Sequence, residues 1–124
     1  MSFTYNKAFL TIATPNSPIL VNFYCQLLDI QPDPYIPGVY AEFQLKELRL
    51  GIFQPQKSRQ PEFANSLGSS MSICLEVLDL EKAIAELQNM GYPPPGEIIT
   101  ASHGREIYAY DPMGNRLILH QSYK

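Results

Sequence analysis

Within 124 residues the chain runs twice through the same order of elements, and that repetition restricts what it can fold into. A shift of 63 residues lays Leu10-Thr-Ile-Ala-Thr14 on Ile73-Cys-Leu-Glu-Val77, Asn16 on Asp79 and Val21 on Ile84. A shift of 67 lays Leu50-Gly-Ile-Phe-Gln54 on Leu117-Ile-Leu-His-Gln121. In the first half, residues 8–14 alternate as a strand with Leu10 and Ile12 on one face. Ser17 stands where an N-cap belongs, with Pro18 at the first helical position, and the apolar stripe Leu20, Tyr24, Leu27 and Leu28 carries the helix to about residue 28. Pro32, Pro34 and Pro37 leave no regular element in the next stretch. Residues 39–45 and 48–53 then read as a hairpin joined at Lys46-Glu47.

The second half follows suit. Residues 72–77 form a strand, Asp79 caps a helix with Leu80, Ala83, Ile84 and Leu87 on its apolar side, and Gly91 supplies a left-handed stop. After the rigid connector Pro93-Pro-Pro-Gly96 comes a strand near residues 97–100. Residues 105–110 and 116–121 then pair across the turn formers Asp111-Pro-Met-Gly-Asn115. Residues 55–69 are polar and aperiodic, as a linker is. The expectation is one domain over residues 1–124, with module one at about 5–54, the linker at about 55–69 and module two at about 70–124. Modules of about 50–55 residues bury too little surface to be comfortable alone, so they are expected to stabilise each other.

Charge and composition exclude other classes. A net charge of -3 offers no basic stripe for a nucleic-acid backbone. No apolar run reaches the roughly 20 residues of a membrane-spanning helix. MSFTYNKAFL lacks the charged and apolar regions of a secretory signal, so a cytoplasmic location is expected. Cys25 and Cys74, without a metal-binding or redox spacing, read as reduced, buried small hydrophobes. There is no phosphate-binding loop, no dinucleotide fingerprint, no nucleophile elbow and no HExxH.

Three stretches resemble the vicinal oxygen chelate superfamily, which includes glyoxalase I, the bleomycin-resistance proteins and the extradiol dioxygenases. Ile19-Leu-Val-Asn-Phe-Tyr-Cys-Gln-Leu-Leu-Asp-Ile30 is similar to its FYxxxLGF helix end, with Asp29 where the family usually has glycine. Val77-Leu-Asp-Leu-Glu-Lys-Ala83 resembles its V-x-D-L-E-x-A helix entry, and Asp111-Pro-Met-Gly-Asn-Arg-Leu-Ile-Leu119 its DPxGNxxEL closing hairpin. The resemblance implies an α+β fold of two βαβββ modules whose mixed sheets curl into a cup, the glyoxalase/bleomycin-resistance/dioxygenase fold, in a homodimer. It also implies a divalent metal held by His, Glu or Gln from the first and last strand of each module. Carried over residue by residue, those positions hold Phe9, Gly51, Ser72 and Ile118, three of which have no ligating side chain and one a poor one. No metal and no other cofactor is therefore expected.

Residues two apart on a strand share a face, so parity sorts the strands. Leu10, Ile12, Phe43, Leu45, Leu48, Leu50, Ile73, Leu75, Val77, Ile107, Leu117 and Leu119 go under the helices. Phe9, Thr11, Tyr40, Arg49, Phe53, Cys74, Tyr108, Tyr110, Arg116 and His120 go to the cup as ligand-binding residues. Aromatic area with sparse polar groups suits a small organic molecule, and Arg49 and Arg116 suit its carboxylate or phosphate. Glu42, Glu76 and His120 are the candidate acid–base groups, the two glutamates with pKa values that desolvation raises if they are partly buried. His103, in a Ser-His-Gly loop, reads as solvated, and Asp111 as turn chemistry. The expected function is metal-free binding of a small molecule. The alternatives are a lyase, isomerase or dioxygenase using a divalent metal or Glu76 and His120, and a structural or regulatory interaction module.

Overall fold

In the computed structural model, which describes residue 4 and residues 7–64 and 69–123, the repetition appears as two compact units, Met1–Ala64 and Asn65–Lys124. The first contains β1 (Leu10–Ala13), α1 (Ser17–Leu28), β2 (Tyr35–Ile36), β3 (Tyr40–Leu45) and β4 (Leu48–Phe53). Its sheet has the order β1-β4-β3-β2, with β1 parallel to β4 and the other pairs antiparallel. The second contains β5 (Ile73–Glu76), α2 (Leu80–Met90), β6 (Ile99–Ala101), β7 (Gly104–Tyr110) and β8 (Arg116–Ser122), in the order β5-β8-β7-β6 with the same pattern of directions. This is the α+β architecture of two mixed sheets. No helix of the described residues is long and apolar enough to cross a membrane.

The correspondence extends to individual hydrogen bonds. Thr14 N–H donates to the Phe53 carbonyl (3.0 Å), and Val77 N–H to that of His120 (2.8 Å). The Gln54 side-chain oxygen accepts from Ser17 N–H at the start of α1 (3.1 Å), and that of Gln121 from Leu80 N–H at the start of α2 (2.7 Å). The first four N–H groups of a helix lack partners inside it. In each unit a glutamine from the end of the last strand supplies one.

Helix ends follow local chemistry. Asp79 accepts from Lys82 N–H (3.0 Å), and Gly91, at φ 93°, closes α2 with its own N–H on the Gln88 carbonyl (3.1 Å). In α1 the N-cap is Asn16, which makes no side-chain cap bond, rather than Ser17, which is the first helical residue and is buried. Asp29 ends α1 in the left-handed region at φ 53°, a conformation that aspartate tolerates better than most residues. Two other expectations change. The proline-rich stretch holds the two-residue strand β2, because Tyr35 and Ile36 pair with Ala41 and Tyr40 between their flanking prolines. Residues 57–63 of the linker form a 3-10 helix, Lys57–Phe63, and residues 65–68 lie outside the described residues.

Burial alternates along the strands as period two requires. In the first unit Ala41, Phe43, Leu50 and Ile52 are buried with Leu20, Val21 and Tyr24 of α1, and the Tyr24 and Phe43 rings stand 6.4 Å apart. In the second, Ile73, Ile107, Ala109, Leu117 and Leu119 are buried with Leu80 and Leu87 of α2. Arg105 marks that same face, since its guanidinium takes both oxygens of Glu81 on α2 (2.6 and 2.9 Å). The opposite face of each sheet is left to the remaining side chains.

Candidate functional site

On the face of the first sheet away from α1, the register sets Gly51 between Thr11 and Glu42, Gln44 opposite Arg49 and Tyr40 opposite Phe53. Phe9, just before β1, is 47% exposed, and Phe53 meets Phe63 edge to face with ring centroids 5.2 Å apart. Glu42 is the hub. Its carboxylate accepts from Tyr40 Oη (2.7 Å) and Gln44 Nε2 (2.7 Å), and Arg49 Nε stands 3.2 Å from it. The bonds from Tyr40 and Gln44 hold Glu42 below the usual carboxylate range. Burial, then the bond to Glu42, pushes Tyr40 up to about 12. Arg49 also donates to Gln44 (3.2 Å), so its charge is engaged within this network.

On the corresponding face of the second sheet stand Cys74, Glu76, Glu106, Tyr108, Tyr110, Arg116, Ile118 and His120. Tyr108 and Tyr110 are 40% and 37% exposed. Arg116 Nη1 donates to the Ser69 carbonyl (2.9 Å) and the Ser72 hydroxyl (3.0 Å). At the other end of the face, His120 Nδ1 contacts Glu76 Oε1 (2.6 Å), and Glu76 Oε2 accepts from Ser122 N–H (2.7 Å). The His120 bond first, and the Ser122 bond next, depress the Glu76 pKa. The raised values expected for Glu42 and Glu76 are thus reversed: donors aimed at both carboxylates outweigh desolvation.

His103 is exposed, as its loop suggests, but its ring stacks on that of His120 (centroids 5.0 Å, planes 18° apart). Glu106 lies opposite His120 in the register. Counting back across the Asp111–Asn115 turn from Tyr110 and Arg116 would have paired these two from sequence. Asp111 does serve its turn, accepting from the backbone N–H groups of Met113 and Asn115 (both 2.9 Å). Both cysteines are free and neither is fully buried: Cys25 is half-buried, and Cys74 is exposed because it lies on the face that α2 leaves open. Partial burial, then Glu106 and Glu76, raise its pKa, and burial raises that of Cys25, so both stay thiols rather than nucleophilic thiolates.

The residues at the four strand positions where the superfamily holds its metal do not fit one. Gly51 has no side chain, and a Cβ there would stand 2.8 Å from Tyr40 Oη and 3.3 Å from Thr11 Cγ2, so the space of a ligand is already filled. Phe9 and Ile118 carry no donor atom, and the Ser72 hydroxyl faces the Arg116 guanidinium, which repels a cation.

No protein-family model and no curated protein matches the chain. Solved structures do. A glyoxalase-related enzyme from Fulvimarina pelagi superposes with a TM-score of 0.74 at 15% identity, over 95% of this chain and 89% of the other. A glyoxalase/bleomycin resistance protein/dioxygenase from Nocardioides gives 0.75 at 18% identity, over 98% and 86%. A glyoxalase/bleomycin resistance protein from Catenulispora acidiphila DSM 44928 gives 0.66 at 22% identity, over 92% and 96%.

Proposed function

Since the chain has the glyoxalase/bleomycin-resistance/dioxygenase fold, in keeping with its resemblance to the vicinal oxygen chelate superfamily, we propose that it binds a small organic molecule on the helix-free sheet faces. In this reading no metal sits at the family's strand positions. The observation that carries it is the aromatic surface left on those faces: Phe9 is 47%, Tyr108 40% and Tyr110 37% exposed. Ring faces of that kind give a planar ligand apolar area, and the tyrosine hydroxyls orient its polar groups. Arg49 and Arg116 are held by their own neighbours, so they act as fixed positive edges rather than free clamps. Tyr35, Ile36 and Val39, exposed at or beside the β2 edge, give a second copy an apolar border to meet, and a homodimer belongs to the same proposal.

A thermal-shift screen of planar metabolites and aromatic antibiotics, with excess chelator throughout, tests this reading. It expects at least one stabilising compound whose effect Tyr108→Ala abolishes. A library without any stabiliser favours the interaction-module alternative, and stabilisation seen only in a parallel screen with added divalent metal and no chelator favours a metal-dependent enzyme. One observation favours a second reading, acid–base catalysis. His120 is held by Glu76 at 2.6 Å, as a base is held by its orienting carboxylate. A compound recovered chemically altered after incubation with the protein would support the enzyme, and one recovered intact would support the binder.

A further inference from the structure

The β6–β7 turn returns His103 over the end of β8, and the β7–β8 register sets Glu106 directly opposite His120. These three residues each offer one ligand atom, and the three atoms lie within 4.8 Å of one another. None of them occupies a strand position at which the superfamily holds its metal. We propose that His103, Glu106 and His120 bind one divalent transition cation of the zinc class.

Three features of His120 support the assignment. First, an ionised carboxylate only accepts, so the 2.6 Å contact with Glu76 engages Nδ1 as a donor and leaves Nε2 as the ring nitrogen that can face an ion. Second, Nε2 is buried without a hydrogen-bond partner. Buried polar atoms normally have one, and a bound cation would provide it. Third, the ring lies over Gly104, where a Cβ would stand 2.8 Å from Nε2 and 2.9 Å from Cε1. Glycine is what allows the imidazole to sit there. The chain Glu76–His120–cation is the arrangement in which a carboxylate fixes the tautomer of a metal-bound histidine and raises its basicity.

The donor set decides the class of ion. Two imidazoles and a carboxylate suit zinc, nickel or copper, whereas magnesium and calcium demand more oxygen ligands than three residues supply. Around zinc, with bonds of about 2.0–2.1 Å, tetrahedral ligand atoms stand about 3.3 Å apart. The cluster must therefore contract. His103 is the residue to move, since it sits on an exposed turn and its stack on His120 has to open before both lone pairs can face one ion. Three protein ligands leave a position for water or for an oxygen of a bound molecule. The site shares a sheet face with Tyr108 but does not depend on the organic-ligand reading.

The test uses the full chain without an affinity tag, stripped of metal, and titrated with zinc chloride in competition with a chromophoric chelator. One zinc per chain is expected, unaffected by millimolar magnesium. His103→Ala and Glu106→Gln should each weaken binding at least about tenfold, and Glu76→Gln, which touches no metal, by about 10–100-fold. Zinc should also separate the ring-proton resonances of His103 and His120 as the stack opens. No saturable binding would overturn the proposal, as would an affinity that His103→Ala and Glu106→Gln leave unchanged. His103→Ala alters an exposed turn residue, so its melting temperature, measured alongside, shows that any loss is not unfolding. Because the screen for organic ligands is run in chelator, failure here leaves that result untouched.

Discussion

Replacing Gln121 by alanine should release the start of α2. In the native unit the Gln121 side-chain oxygen accepts from Leu80 N–H at 2.7 Å and from Arg105 Nη2 at 3.2 Å. Arg105 keeps its two bonds to Glu81, so losing its contact with Gln121 costs little. Leu80 is fully buried, and an amide hydrogen orphaned beneath it costs about 1–3 kcal/mol. At about 4 °C per kcal/mol for a chain of this size, the melting temperature should fall by about 4–12 °C. Gln54→Ala orphans Ser17 N–H in the same way and should cost a similar amount. Gln88→Ala, on the exposed side of α2, should stay within about 0.5 kcal/mol. Circular dichroism melts give the magnitudes, and hydrogen exchange of the Leu80 amide reports the cause, because that amide should lose protection ahead of mid-helix ones. A Gln121→Ala melt within about 1 °C of the parent, with Leu80 still protected, would refute the reasoning, since water would then be satisfying the helix end.

Three further outcomes follow from named contacts. Ser17→Ala should be neutral or stabilising in a chemical denaturation curve, because the Ser17 hydroxyl is buried without a partner and alanine is the better helix former. A cap serine would instead cost about 0.5–2 kcal/mol. Glu81 has its pKa lowered from 4.5 to about 2 by Arg105, so its contribution is complete above pH 4.5 and is lost as pH falls toward 2. Glu81→Gln should therefore flatten the dependence of melting temperature on pH in that window and leave it unchanged above. Gly104→Ala drives a Cβ into the Gln121 backbone carbonyl. Backbone cannot yield as a side-chain tip does, so a loss of at least about 1–3 kcal/mol is expected in the same denaturation assay.

Much of the architecture was legible because it rests on short-range rules. Period-two alternation placed Phe43 and Leu117 under the helices and Tyr108 and His120 on the opposite faces, and Asp79 and Gly91 bounded α2 as their chemistry dictates. What escaped depends on partners distant in sequence. Ser17 looks like a cap until Gln54, 37 residues away, is seen to supply the acceptor. Tyr35 and Ile36 look barred from a sheet by their prolines, yet two residues suffice for an edge. Glu42 and Glu76 on parity alone invite desolvation, and only the geometry reveals the donors that keep both ionised. His103 is exposed, as its loop suggests, but nothing local indicates that a two-residue turn stacks it on His120.

The measurement to make first is an equilibrium titration, in chelator, of the strongest compound from the screen, followed by tyrosine emission. The chain has eight tyrosines and no tryptophan, so Tyr40, Tyr108 and Tyr110 on those faces contribute to the emission without an overlying tryptophan signal. The binding reading predicts a saturable change with one equivalence point, weakened at least about tenfold by Tyr108→Ala or Tyr110→Ala, the range expected when a stacked aromatic contact is truncated. Saturation that requires added metal, or that both tyrosine substitutions leave intact, would contradict it.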